Sequence, residues 1–134
     1  MPKLQVYYAK SERGWVDNLR NGFYKLINVP LSKELRWGDI VTLSEDNGIL
    51  TVERVVERKL PHRGYIEYDE TSQWPSIVAG FQARYRLGNE YAMEGGWGAT
   101  KNRPGRALIN FKDTVDIEHA ISNLDGVRFV SDEE

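Results

Sequence analysis

The chain contains no cysteine in its 134 residues. A disulfide frame, a thiolate nucleophile and a sulfur-built zinc site are therefore excluded, and a reducing compartment is compatible. Only two histidines are present, so any metal site would rest mainly on carboxylates. Long hydrophobic runs are missing as well. No apolar window approaches the roughly 18 residues of a membrane-spanning helix, and Met1-Pro2-Lys3 enters an alternating pattern with no apolar leader. A cytoplasmic protein with no membrane partner is the resulting expectation. Nor is one sign of charge in excess: 18 Lys/Arg face 20 Asp/Glu, for a net charge of −2. That lacks the broad basic footprint of a nucleic-acid binder. What remains is 40% hydrophobic and 28% charged, a composition that folds, at a length suited to one compact domain or two small modules.

Up to Pro61 the apolar residues read as strands. Leu4, Val6 and Tyr8 alternate with polar neighbours, the period of two that puts one strand face on a core. Residues 11–21 read as a polar connector. Residues 22–29 (GFYKLINV) form a second strand, stopped by Pro30. Residues 39–44 and 49–58 flank Glu45-Asp46-Asn47-Gly48, and Asn-Gly supplies positive φ cheaply, so a hairpin is predicted there. In its second arm Val55-Val56 breaks strict alternation, which suggests a bulge or a turn of the strand across a small barrel.

Beyond Pro61 the period changes. Residues 64–68 read as strand; Trp74, Ile77, Val78, Phe81 and Tyr85 repeat at helical spacing; residues 89–94 and 106–111 return to strand. A second helix is predicted after Asp113 or Thr114, through Ile117, Ala120, Ile121 and Leu124 to a terminating Gly126, with a last strand from Val127 to Ser131. The expected class is α+β: a β-rich module over 1–61, of about four strands in a partly open barrel, followed over 62–134 by a ferredoxin-like βαββαβ unit, with one compact structural domain holding both as the alternative.

Several residue groups bear on chemistry. Gly95-Gly96-Trp97-Gly98-Ala99-Thr100-Lys101 is glycine-rich, yet a phosphate loop needs Gly directly before Lys and Ser or Thr after it. Here Thr100 precedes Lys101 and Asn102 follows, so the stretch reads as a strand connection. Within it, Trp97 either folds on the core or anchors a partner. Arg54, Arg58, Lys59 and Arg63, with His62, make the densest basic run, and Lys101, Arg103 and Arg106 a second. The strand RALINF lacks the aromatic pair of RNA-binding sheets. Asp116 and His119 are spaced for one metal but lack a third ligand. No metal, cofactor or catalytic set is expected.

The runs Phe23-Tyr24-Lys25-Leu26-Ile27-Asn28-Val29-Pro30, Gly38-Asp39-Ile40-Val41 and Val55-Val56-Glu57, with Val115-Asp116-Ile117 and the acidic end at Asp132 to Glu134, resemble the bacterial domain-of-unknown-function family 4265. That resemblance implies no assigned activity. The residues themselves favour a non-enzymatic interaction or regulatory module that binds a protein partner, or self-associates, through Trp97, Arg58, Lys59, His62, Arg63 and Arg103. An enzyme or ligand-binder with a cleft near His62, Arg63, Trp37 and Asp39 is the alternative, and nucleic-acid binding through Arg58, Lys59, Arg63 and the 101–106 loop the third reading.

Overall fold

A computed structural model describes residues 3–70, 91–122 and 124–132, apart from the side chains of residues 94–97 and 116. Two compact units divide the chain, Met1–Leu60 and Pro61–Glu134.

The first unit is a closed barrel of five strands in the order β1 (Lys3–Ala9), β2 (Glu12–Arg20), β3 (Phe23–Leu26), β4 (Ile40–Asp46) and β5 (Ile49–Glu57). Neighbours pair antiparallel, and a parallel bridge between Tyr7 and Thr51 closes β1 on β5. Val6, Tyr8, Val16, Leu26, Leu35 and Val41 fill the interior, each stabilising the unit by about 1.5–3 kcal/mol through burial. Gly14 on β2 lies under the Tyr8 ring, where a Cβ would come within 2.3 Å of Cζ. The Tyr8 hydroxyl donates to the Trp15 carbonyl, and the Trp15 N–H donates to Asn28 Oδ1 at 2.7 Å. The β4–β5 turn has positive φ at both Asn47 and Gly48, the geometry that suits a two-residue hairpin. Register shifts between Ile40 and Val41 and between Thr42 and Leu43 leave Val56 and Glu53 as the extra residues on β5, so the broken alternation is a pair of bulges.

The second unit is a four-stranded antiparallel sheet ordered β7-β8-β6-β9, built from β6 (His62–Tyr68), β7 (Tyr91–Trp97), β8 (Gly105–Phe111) and β9 (Val127–Ser131). One helix, α1 (Thr114–Ile121), lies between β8 and β9 in sequence, and the Asp113 carboxylate caps it by accepting from the Val115 N–H. Ile117 and Ile121 from α1 join Ile66, Tyr91, Ala107, Ile109 and Phe111 in the core. Phe129 meets Phe111 edge to face at 5.3 Å and lies over Gly64, where a Cβ would come within 2.6 Å of its ring.

These elements correct the expected class. An α+β chain carrying a ferredoxin-like βαββαβ unit is not what is found: among the described residues the chain is nearly all β, nine strands against one eight-residue helix. Strand pairing rather than helix packing satisfies most of the described backbone. The helix expected over 72–85 lies outside the described residues. The first module has five strands and is closed, not four and partly open, because residues 12–20 are a strand rather than a connector. β7 continues through Gly95 and Gly96 to Trp97, beyond the strand end expected at residue 94. The helix ends at Ile121, with Ser122 as its cap, so Gly126, at φ 71°, turns the chain into β9 instead of closing the helix.

Candidate functional site

Most of the residues expected to bind are bound within the chain. Asp39 is fully buried, and Arg58 donates to both its oxygens, from Nε at 3.0 Å and from Nη2 at 2.8 Å. The Arg36 N–H donates to the same carboxylate at 2.8 Å, and Arg58 Nη2 also reaches the Glu34 carbonyl. Arg58 thus fastens the end of β5 to the 27–39 loop. Trp37, on that loop, is buried, and Lys25 Nζ lies 4.7 Å from its ring centroid. Lys59 is exposed. On β6, His62 packs its ring 5.4 Å from Phe111. Arg63 is 3% exposed, bonded to Asp132 at 2.6 Å and to the Tyr65 hydroxyl at 3.3 Å. The side chain of Trp97 lies outside the described residues; its backbone pairs with Arg106.

Arg103, also engaged within the chain, lies beside a cleft. β6 and β8 separate after their last pair, Tyr68 with Gly105, and the two chains that leave it form the arms of an open cleft of about 380 Å³. One arm carries Asp69 and Glu70; the other is the Thr100–Pro104 turn with Lys101 and Arg103. Hydrogen bonds hold Asp69 on one arm and the turn on the other. Thr100 and Arg103 exchange backbone hydrogen bonds at 2.9 and 3.4 Å, and the Asn102 N–H donates to the Thr100 hydroxyl. The Asp69 N–H donates to the Gly126 carbonyl at 2.8 Å, and Arg128 Nη1 donates to its carboxylate at 3.2 Å. Gly105 belongs to the same arrangement, since a Cβ there would come within 2.3 Å of the Tyr68 ring and 2.7 Å of the Ala99 nitrogen.

Behind the acidic arm, Glu67 accepts from Arg106 at 2.6 Å and from Arg128 at 3.1 Å, its register partners on either side. Burial pushes the Glu67 carboxyl up, but hydrogen bonds and charge from Arg106 and Arg128 outweigh it and hold the group below the usual carboxylate range. The Asp69 hydrogen bond, then Glu67, raises Arg128 above the ordinary arginine value. Arg106 also lies 4.8 Å from the Tyr65 ring centroid. The two arginines flanking Glu67 are balanced only with the Asp69 carboxylate, which holds Arg128 from its other side.

Sequence reasoning reached Arg103 but missed Asp69 and Glu70. The signal was available in pairing: a strand ending at Tyr68 opposite one beginning at Gly105 brings residues 69–70 beside 103–104. Among the described residues no group of three His, Asp or Glu is placed to hold a metal, and no helix is long and apolar enough to cross a membrane.

No family model matches the chain, and no curated protein does. A solved structure, "Novel crystal structure of a hypothetical protein from Neisseria gonorrhoeae", is similar at 15% identity with a TM-score of 0.47, over 96% of this chain and 92% of that one.

Proposed function

We propose that this chain is a binding module that holds a protein partner at the cleft between residues 69–70 and 100–104, recognising a short segment that carries both signs of charge. The observation that supports this is the pairing of opposite charges across one preformed cleft. Its volume, about 380 Å³, lies at the lower end of ligand sites, which run from about 300 to 1,000 Å³. A purely anionic ligand meets Glu70 beside the Asp69 carboxylate that already holds Arg128, and a purely cationic one meets the Lys101–Arg103 arm. A segment with neighbouring Lys and Glu side chains satisfies both arms. Such contacts confer specificity and faster association more than affinity, so weak, salt-sensitive binding is expected. Nucleic acid is the less favoured reading, because Arg106 and Arg128 are already engaged by Glu67.

The test is an NMR titration of the full chain with three hexapeptides, one alternating Lys and Glu, one all Glu and one all Lys. The alternating peptide should move the amides of Asp69, Glu70 and Lys101 to Arg103, and the paired reversal K101E/R103E should abolish the response. Equal response to a single-sign peptide, or none at millimolar peptide, would refute the reading.

A further inference from the structure

Aromatic rings and cations alternate on the outer face of the first three barrel strands. Successive residues of β1, β2 and β3 point inward and outward in turn, and register sets Gln5 beside Trp15, Tyr7 beside Arg13, and Asp17 between Lys3 and Lys25. At the far end of β2, Arg20 pairs with Phe23. Trp15 is 43% exposed and Phe23 41%, and the half-buried Tyr7 ring has the Arg13 guanidinium carbon 6.0 Å from its centroid. Among the described residues, no ion pair holds Lys3, Arg13, Arg20 or Lys25. Glu12, the other acid of β2, is occupied by the Leu31 and Ser32 N–H groups.

We propose that this strip binds single-stranded nucleic acid, with bases stacked on Trp15, Tyr7 and Phe23 and phosphates paired with the flanking cations. It belongs to the first unit and is independent of the cleft reading for the second. The net charge of −2 is a sum over the whole chain, whereas the strip sets Lys3, Arg13, Arg20 and Lys25 against Asp17 alone. That carboxylate is shared between two lysines in register. The cationic excess selects an anion, and the rings select one that carries planar groups, since stacking on an aromatic side chain serves every base. Gln5, in register with Trp15, carries an amide that can donate to and accept from a base edge. From Arg13 to Arg20 the strand rises roughly 24 Å, at about 3.4 Å per residue. A single strand with a phosphate every 3.4 Å or more crosses that length with at most about seven nucleotides. A duplex fits less well, because its base faces are already stacked on one another.

The experiment titrates the folded full chain at low salt with labelled oligothymidylate, with the matching duplex and with polyglutamate of equal charge, following ligand anisotropy and the amide shifts of the chain. Oligothymidylate should bind best and move the amides of Arg13, Trp15, Asp17 and Phe23. Its affinity should fall with salt, and K3Q/R13Q should reduce the slope of log K against log salt by about 1.4, as the loss of two phosphate contacts requires. W15A should weaken binding at least about fivefold and leave that slope unchanged. Lys3 and Arg13 are exposed, so K3Q/R13Q keeps the test decisive should W15A fail to fold. No binding at low salt, equal binding of the duplex or of polyglutamate, a slope untouched by K3Q/R13Q, or shifts confined to residues 69–70 and 100–104 would overturn the proposal.

Discussion

Substitution at the Arg58–Asp39 pair should have unequal effects depending on which partner is changed. Replacing Arg58 with Met leaves a carboxylate that is 0% exposed with the Arg36 N–H as a remaining donor. Breaking a buried pair in this way costs about 3–5 kcal/mol. The Arg58 side chain is itself 32% exposed, so water reaches the vacated position, and about 2–3 kcal/mol is the appropriate expectation. Asp39→Asn keeps an acceptor for the Arg36 N–H and leaves the partly exposed Arg58 its bond to the Glu34 carbonyl, so it should cost about 1–2 kcal/mol. In R58M/D39N the neutral amide no longer needs a cation, and the double variant should be more stable than the sum of the two singles by about 1–2 kcal/mol. Native-state hydrogen exchange on the full chain reads this locally. The Leu26 N–H, bonded to the Asp39 carbonyl, and the Gly38 N–H, bonded to the Leu26 carbonyl, lie beside the pair and do not require both units to unfold together. The reasoning fails if D39N costs more than R58M, or if R58M lies within about 0.5 kcal/mol of the parent, since surface substitutions do no more than that.

Three further outcomes are expected. Gly14→Ala should destabilise the barrel by about 1–3 kcal/mol, as overpacking does, because Tyr8 must leave its place under the hydroxyl bond to Trp15; an unchanged melting temperature would contradict the close approach. Glu67 has a depressed carboxyl pKa, so its stabilising contribution is complete above the unfolded value of about 4.3 and is lost as pH falls through the folded value. E67Q should therefore flatten the acid side of the stability profile, and identical slopes for parent and variant would count against the Arg106–Glu67–Arg128 bonds. Asp113→Ala removes the acceptor for the Val115 N–H and should cost about 1 kcal/mol. It should be seen as faster exchange in the first turn of α1, where unchanged protection would show that the cap is dispensable.

The sequence was most legible where one face of a strand is apolar and the other polar. Val6 and Tyr8 are buried on β1 as their alternation suggested, and Asn47-Gly48 turns the chain between β4 and β5. β2 was hidden because its inward positions are Gly14 and Val16, and a glycine packed under a tyrosine leaves no hydrophobic mark. The Val55-Val56 irregularity did identify the bulged strand, though not that the bulges help close a five-stranded ring. The cleft was half visible. Lys101 and Arg103 stood out as charges in a turn, whereas Asp69 and Glu70 become their neighbours only through the pairing of β6 with β8, which no local pattern records. Arg58 and Arg63 read as surface cations because a linear scan cannot show that Asp39 and Asp132 wait at salt-bridge distance.

The bridge between Tyr7 and Thr51 joins positions forty-four residues apart, and this has a consequence for biogenesis. Bringing such distant segments together carries a chain-entropy cost before the contact repays it, and topologies dominated by distant partners assemble slowly. On the ribosome the opening hairpin must therefore wait, incomplete, until β5 has emerged. Moving the termini of the full chain by circular permutation into the Asn47–Gly48 turn would place the whole second unit between β5 and β1, lengthening the span that closure must cover, and the first unit should then acquire its structure later.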